Sequence, residues 1–229
     1  METRIVIKSN SHGNGAEVFR HGESFNKIAL TKDANAVIER EKQGYDWFGV
    51  DTKLQTTDTG IKYLIIPRFR GKTFPQYNGI SGNEMWIMKL IDFYNNKWTK
   101  DKFAIHGDLA LCNVIFGGEG RVHIVDWEHF HYADKRYYGF DILNMLFIHL
   151  QYEYRWLDWG VNWVPIVKER HQMFFADCFL KLKETPFLRR PFRNAHQYIN
   201  KYMDRNKFKL GRLKLRTLES LDILCGVMA

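Results

Sequence analysis

Residues 106–128 constrain the fold of this chain more than any other segment. They read HGDLALCNVIFGGEGRVHIVDWE, in which two apolar runs, Val114–Phe116 and Val122–Val125, flank the glycine-rich sequence GGEG. Short apolar runs on either side of such a turn are typical of a β-hairpin. Because a hairpin brings its two ends together, we expect the polar residues before the first run to lie beside those after the second.

These polar residues follow a specific spacing. His106, Asp108 and Asn113 form the pattern HxDxxxxN. Asp126 follows the asparagine by thirteen residues, directly after the apolar sequence VHIV. In a chain of this composition the combined spacing arises by chance roughly 0.2% of the time. The hypothesis that these are ordinary turn residues is therefore the weaker one.

The side-chain types at these positions suit phosphoryl transfer, in which a protein mostly positions groups and neutralises charge. An Asn amide oxygen and an Asp carboxylate are suitable ligands for Mg²⁺. A second carboxylate near the metal can accept the proton of an attacking hydroxyl. The spacing therefore predicts Asn113 and Asp126 as metal ligands and Asp108 as a general base.

The first third of the chain predicts strands and one helix. Four short β-like runs occur at Ile5–Lys8, Ala16–Arg20, Phe25–Thr31 and Tyr63–Pro67. The helix is expected to begin after Asp33 as its N-cap. Its face is marked by residues that recur three or four positions apart, namely Val37, Ile38, Glu41, Tyr45 and Phe48.

The later part of the chain predicts mostly helices. Ser81 and Glu84 have the spacing of a capping box at the start of one helix, and helical patterns resume at about Phe140. The order of elements predicts an α+β fold with two lobes. The small β-rich N-terminal lobe is expected over residues 1–70 and the mostly helical C-terminal lobe over residues 71–229.

The motif resembles the catalytic core of the aminoglycoside phosphotransferase and choline kinase group, within the protein-kinase-like superfamily. In that group HGDxxxxN is followed by a strand that ends in DWE or DFE, and the resemblance covers about residues 19–150. It implies ATP and Mg²⁺ as cofactors, Asp108 as the catalytic base, His106 as a brace of its loop, and Asn113 and Asp126 as metal ligands. It also implies that Glu128 supports a second metal or its waters.

The motif differs from that of protein kinases, and the differences indicate the branch of the superfamily. Gly107 stands where protein kinases carry arginine, and DWE replaces DFG. No APE motif follows the segment, which favours the small-molecule enzymes over protein kinases. The implied activity is transfer of the γ-phosphate of ATP to a hydroxyl of a small molecule or sugar.

The resemblance also implies a lysine–glutamate pair that clamps the nucleotide. Glu41 matches the helical partner, Lys27 is the first choice for the lysine, and Lys32 is the second. The turn His12–Gly15, with Gly13 and Gly15, would cover the phosphates, although it lacks the third glycine of GxGxxG. Two further matches are the hinge-like sequence YLIIPRFRGKTF and the helical residue Asp141.

The charge of the chain is concentrated near its end. Of the formal net charge of +8, residues 181–216 contribute 12 Lys and Arg against Glu184 and Asp204, a net +10. The apolar residues between these charges suit either a solvated face, an anionic membrane surface or a lipid-linked substrate. Nucleic acid would explain the charge as well, but no nucleic-acid-binding module is present in the sequence. A basic, aromatic region favours a neutral or anionic acceptor such as a glycan.

Other readings of single features stay open at this point. His123, His129 and His131 surround Asp126, so a zinc site is an alternative to histidines that lie at the surface or behind the metal ligands. Trp156, Trp159 and Trp163 suit a helical core stripe or a sugar-stacking platform. The poor glycine loop also leaves room for a pseudokinase, a binding module that keeps the fold without turnover.

The compartment is predicted from the cysteines and the N-terminal sequence. Three cysteines at long spacings, Cys112, Cys178 and Cys225, suit a reducing compartment better than a disulfide framework. Residues 1–12 contain no apolar signal-peptide core, and no run of 18 uncharged apolar residues occurs. We therefore expect a cytoplasmic protein, with peripheral membrane contact as an alternative.

Overall fold

A computed structural model of the chain describes residues 5–8, 15–75, 78–98, 102–133, 135, 138–154 and 168–183. Strands and one helix come first, and helices with two short strand pairs follow, which confirms the predicted α+β class. The strands are β1 Ile5–Lys8, β2 Ala16–His21, β3 Ser24–Ala29, β4 Lys53–Thr56, β5 Lys62–Pro67, β6 Ala104–Ile105, β7 Val114–Phe116, β8 Val122–Ile124 and β9 His131–Tyr132. The helices are α1 Asn35–Phe48, α2 Glu84–Lys97, α3 Phe140–Glu153 and α4 Glu169–Lys183.

The chain divides into two units that are discontinuous in sequence. The first comprises Met1–Thr73, Ala104–Asp108 and Asn113–Tyr132. The second comprises Phe74–Phe103, Leu109–Cys112 and Ala133–Ala229. The predicted lobe boundary between residues 70 and 71 stays a prediction.

The first unit is built on a five-stranded antiparallel sheet with the strand order β1-β2-β3-β5-β4. β3 lies at its centre, so that Lys27 is paired with Val18 on one side and Leu64 on the other. Leu64 and Ile66 of β5 are buried, as are Ile38 and Tyr45 of α1. Apolar side chains that alternate along a strand fill one face of a sheet, and α1 lies against β3 and β5.

The hairpin predicted within residues 106–128 is present in the first unit. β7 and β8 are antiparallel, with Val114 opposite Ile124. The backbone N–H of Val125 donates to the carbonyl of Asn113 at 2.9 Å, which extends the pairing to the hairpin's open end. The polar residues at the two ends are therefore neighbours, as the spacing predicts.

Two capping predictions are wrong. α1 begins at Asn35 with Ala34 as N-cap, and no side chain caps it, so Asp33 does not have the expected role. α2 begins after Asn83, and the Ser81 hydroxyl donates instead to Glu153 Oε1 at 2.7 Å. A distant carboxylate competes successfully with the helix N-terminus for this hydroxyl, which local sequence does not indicate.

The second unit contains α2, α3 and α4. Its buried side chains are mostly aliphatic or aromatic, and they include Leu90, Ile91, Tyr94, Met145, Leu146 and Cys178. α2 packs against α4, where Cys178 Sγ lies 3.6 Å from Met88 Sδ and Lys181 Nζ lies 2.6 Å from Asp92. In the part of the chain that the structure describes, no helix has the length and apolar character needed to cross a membrane.

Some sequence predictions fall outside the described residues. They concern Gly13 of the predicted phosphate-covering turn, the three tryptophans between residues 156 and 163, and nearly all of the basic segment at 181–216. These stay predictions.

Asn35 connects α1 to the turn between β4 and β5, which allows a test of the fold. Its Nδ2 donates to the carbonyl of Gly60 at 2.9 Å, and its Oδ1 accepts from the N–H of Lys62 at 2.8 Å. We predict that Asn35→Ala lowers the free energy of unfolding by about 2 kcal/mol, since each hydrogen bond contributes about 1 kcal/mol. Urea denaturation followed by circular dichroism measures this difference.

Asn96→Ala is the matched control. The Asn96 side chain is exposed and donates to the carbonyl of Asp92 within the same helix, so alanine, the better helix former, should leave stability nearly unchanged. Equal effects of the two substitutions would contradict the connecting role of Asn35.

Candidate active site

Lys27 is the centre of the site. Its side chain leaves the central strand β3, and the residue is only 2% exposed. The ammonium lies 2.6 Å from Glu41 Oε2, 2.8 Å from Asp126 Oδ1 and 2.9 Å from Glu128 Oε2. Burial alone lowers the pKa of this lysine, but the three carboxylates outweigh burial and hold its pKa well above the ordinary value. Lys27 is therefore positively charged at neutral pH.

Glu41 reaches the cluster from α1. Burial raises the pKa of the Glu41 carboxyl to about 7, and Asp126 and Glu128 add to this effect while Lys27 opposes it. A carboxyl in low dielectric resists ionisation because its charge loses hydration. The four side chains thus hold one positive charge against three carboxyl groups, and the excess is negative when all three are ionised.

Asp126 has an unusual backbone conformation. Its φ is 64°, in the left-handed region that few residues other than glycine adopt, although Asp and Asn tolerate it better than most. Such a conformation persists where surrounding contacts impose it. The turn directs Asp126 Oδ1 to Lys27, and the side chain stays 24% exposed. Part of this carboxylate is therefore accessible to solvent.

His106 connects the loop of Asp108 to the strand that precedes Asp126. It is fully buried, and burial lowers its pKa to about 4, so the ring is neutral. Its Nε2 lies 3.0 Å from the carbonyl of Val125, and the N–H of Asp108 lies 3.2 Å from its Nδ1. The neutral ring with hydrogen on Nε2 satisfies both contacts, since Nε2 then donates and Nδ1 accepts. This geometry suits the bracing role that the resemblance implies.

Asp108 and Asn113 are connected to each other. The amide Nδ2 of Asn113 donates to the backbone carbonyl of Asp108 at 2.9 Å. The backbone carbonyl of Asn113 also accepts a hydrogen bond from the N–H of Val125. Asn113 therefore lies beside the residue that precedes Asp126. Asp108 is partly exposed. The roles of Asp108 as base and of Asn113 as metal ligand stay predictions.

Of the two candidate lysines, only Lys27 belongs to the cluster. Lys32 is exposed, and its Nζ lies beside Gly60 at the turn before β5. Gly15 lies directly before β2, where its carbonyl accepts the N–H of Leu30 at 2.7 Å and its φ is 68°. Whether Gly15 covers phosphates is a prediction that these contacts do not test.

Sequence reasoning missed several contacts of this site. Two contacts of Glu128 were not expected, since its Oε2 contacts Lys27 and its carbonyl accepts from Arg40 Nη1 at 3.2 Å. Its support of a second metal or its waters stays a prediction. The packing of Trp127 against α1 was not expected either. The glycine within that helix, Gly44, was the available signal, because a glycine in a helix interior often marks a close approach.

The zinc alternative can be compared with the described side chains. His123, His129 and His131 all lie in the described range 102–133. Within the described residues no group of three or more His, Cys, Asp or Glu side chains could hold a metal ion. His123 instead stacks on Phe69, with ring centroids 4.4 Å apart, and the ring Nδ1 of His131 lies 2.9 Å from the carbonyl of His129.

The raised pKa of Glu41 predicts a specific dependence of stability on pH. The folded protein holds the Glu41 proton up to a pKa of about 7, whereas the ordinary value is 4.5. Between these values the unfolded chain binds fewer protons, so this group reduces stability as pH rises. We predict that the unfolding free energy of Glu41→Gln minus that of the wild type grows by up to about 3 kcal/mol from pH 4.5 to pH 8.

Urea denaturation in the presence of EDTA, at several pH values for both proteins, measures this difference. Titrating groups that do not interact with Glu41 are common to both proteins and cancel. A difference that stays constant over this pH range would show that Glu41 titrates near its ordinary pKa.

Comparison with known proteins gives no close relative. A scan against protein-family models finds no family model that matches this chain. A search of the curated proteins finds no matching sequence either.

Several solved structures are similar to this one at low identity. One is monomeric WbdD, with 12% identity, a TM-score of 0.42, and a match that covers 77% of this chain but only 46% of that chain. A choline/ethanolamine kinase family protein from Mesorhizobium loti has 13% identity and a TM-score of 0.35, over 100% of this chain and 88% of that chain. The aminoglycoside phosphotransferase APH(4)-Ia has 10% identity and a TM-score of 0.39, over 99% and 92%. With identities and TM-scores this low, none of these likenesses carries an argument about function, which rests on the side chains described above.

Proposed function

We propose that this chain is a phosphotransferase that moves the γ-phosphate of ATP to a hydroxyl of a small molecule or sugar. The main support is the arrangement of Lys27, which contacts Glu41 of α1 and two acidic residues of the DWE sequence. Phosphoryl transfer of this kind requires a positively charged side chain to bind the nucleotide phosphates, close to a carboxylate that binds the metal. Lys27 and Asp126, which are 99 positions apart in sequence, meet this requirement at 2.8 Å.

The side chains present suit Mg²⁺. Asp126, which follows β8, offers a partly exposed carboxylate. Asn113, which precedes β7 at the same open end of the hairpin, offers an amide oxygen. Mg²⁺ is usually held by one or two protein oxygens together with substrate phosphates and waters. An excess of carboxylate over ammonium around Lys27 also favours a cation. When bound, Mg²⁺ would neutralise charge on the phosphates.

The roles of the remaining residues follow from their positions. Lys27, oriented by Glu41, binds the phosphates of the nucleotide. Asp108 accepts the proton of the acceptor hydroxyl as its oxygen attacks the γ-phosphorus, and ADP leaves on the opposite side. His106 keeps the Asp108 loop in register with Val125, and hence with Asp126, through its two ring nitrogens.

The acceptor is proposed only as a class. A neutral or anionic hydroxyl compound, such as a glycan or lipid-linked saccharide, suits the basic composition of residues 181–216. Incubation of the full chain with γ-labelled ATP and a metabolite extract would identify the compound that gains the label. Binding of ATP with Mg²⁺, but neither transfer nor hydrolysis, would favour the pseudokinase alternative.

Asp108 provides the test of the base. We predict that Asp108→Asn lowers turnover by about 10² to 10⁴ and leaves nucleotide affinity nearly intact, since the amide keeps the shape but cannot accept the proton. Steady-state kinetics and nucleotide titration measure the two quantities. Asp51→Asn, an exposed loop position, is the control and should match the wild type. Full turnover by Asp108→Asn would remove the base assignment.

Asp126 provides the test of the metal ligand. Asparagine tolerates the left-handed backbone at this position, so Asp126→Asn changes the charge with little strain. We predict that it weakens Mg²⁺-dependent ATP binding by more than about 100-fold, because even outer partners of a metal ligand contribute 10- to 100-fold. Calorimetric titration at several Mg²⁺ concentrations measures this loss.

The control for this substitution is Asp46→Asn, at an exposed position on α1 that pairs with Lys42. It should bind nucleotide and metal like the wild type. Unchanged metal dependence in Asp126→Asn would rule out the ligand role.

A further inference from the structure

Gly44 lies in the interior of α1, where glycine is a poor helix former and alanine a good one. Its backbone lies outside the left-handed region, so conformational freedom does not account for the glycine. Space does account for it. A Cβ on residue 44 would lie 2.5 Å from Trp127 Cβ, 2.7 Å from its Cγ and 2.9 Å from its Cδ2. These separations are too short for real carbon atoms, so any side chain here would push α1 and Trp127 apart.

Trp127 has little freedom to move away. It is fully buried, and its Nε1 donates to the carbonyl of Ile124 at 2.9 Å. Its ring centroid lies 4.5 Å from that of His106 and 5.4 Å from that of Phe48. Protein interiors are packed as densely as organic crystals, so a displacement of this ring displaces its neighbours too.

Trp127 lies between two residues that hold Lys27. Asp126 and Glu128 are bonded to it on either side in the chain, and both carboxylates contact the ammonium. α1 meets the same segment again where Arg40 Nη1 donates to the carbonyl of Glu128 at 3.2 Å. A shift of Trp127 relative to α1 would therefore separate Glu41 from the two other carboxylates.

We propose that Gly44 is a positioning residue of the site. Its missing side chain lets α1 approach Trp127 closely enough for Glu41, Asp126 and Glu128 to hold one ammonium together. The inference rests on the proposed function, because the groups that Gly44 positions are those assigned to the nucleotide and the metal. Gly44 itself touches neither.

Reactivity of Lys27 tests the positioning without any ligand. Brief treatment of the full chain with an acetylating N-hydroxysuccinimide ester, followed by mass spectrometry, gives the modification rate of each lysine, with exposed Lys53 as an internal reference. Gly44→Ala should raise the rate at Lys27 by at least about fivefold, because a modest loss of stabilisation already changes an equilibrium by that factor. Gly118→Ala is the matched control, since a Cβ there meets nothing within 4 Å.

Affinity for Mn²⁺, measured by electron paramagnetic resonance in the presence of ATP, is the second readout. Gly44→Ala should weaken it by at least about 10-fold, as expected when a partner of a metal ligand is disturbed. Leu90→Ala, a core truncation in α2, controls for general destabilisation and should leave both readouts unchanged under conditions where it is folded. Both effects should also occur, to a smaller degree, in Arg40→Met, which alters an exposed side chain.

The outcomes separate this inference from the proposed function. Wild-type protein that binds neither Mn²⁺ nor ATP would refute the proposed function, while the rate at Lys27 would still decide the role of Gly44. Wild-type rates and affinities in folded Gly44→Ala would overturn the positioning role. If Gly44→Ala does not fold, Arg40→Met decides, because it removes another contact between α1 and the segment of Trp127. Wild-type rates and affinities in Arg40→Met would then overturn the positioning role.

Discussion

A buried ammonium surrounded by three carboxyl groups is the interaction on which the first unit depends. Lys27 comes from the central strand, Glu41 from α1, and the other two from the segment after β8. Charges removed from water are costly unless they are paired, and the loss of one partner leaves the others uncompensated. Sheet, helix and hairpin must therefore be assembled together. Because the last two partners lie 99 and 101 positions from the lysine, the cluster fixes the most distant parts of this unit to each other.

The segment from residue 125 to residue 128 shows how this assembly is imposed on a short stretch of chain. Its backbone is held at both sides: His106 Nε2 contacts the carbonyl of Val125, and Arg40 donates to the carbonyl of Glu128. Between them Trp127 is buried, and Asp126 adopts its left-handed conformation. Backbone strain of this kind costs on the order of 1 to 3 kcal/mol and persists only where neighbours determine it. The packing of an aromatic residue without catalytic chemistry thus sets the direction of the carboxylate beside it.

The sequence predicts the parts of the fold that local periodicity and turn chemistry determine. The hairpin, α1 and the main strands were found where expected. Lys27, the first choice for the clamping lysine, contacts Glu41, and its role at the nucleotide stays a prediction. β4 was not predicted, because Lys53–Thr56 is exposed along its length and has no apolar alternation. The capping role of Ser81 was predicted wrongly, because its hydroxyl bonds a carboxylate 72 positions away. The exposure of β4 and the distant partner of Ser81 decided these two cases. Neither can be deduced from the spacing of residues in the sequence.

Gly44 allows the lysine cluster to be held by the packing of the folded core. If α1 lay farther from Trp127, Glu41 would lose its lysine, and a buried carboxyl would remain without compensation. The fit of Gly44 against Trp127 makes that position a property of the folded core. The lysine–glutamate pair is then arranged during folding, and under the proposed function no binding energy is consumed in arranging it. A rigid helix and an accessible edge of Asp126 are complementary features, since the first fixes the charges and the second leaves a carboxylate within reach of a cation.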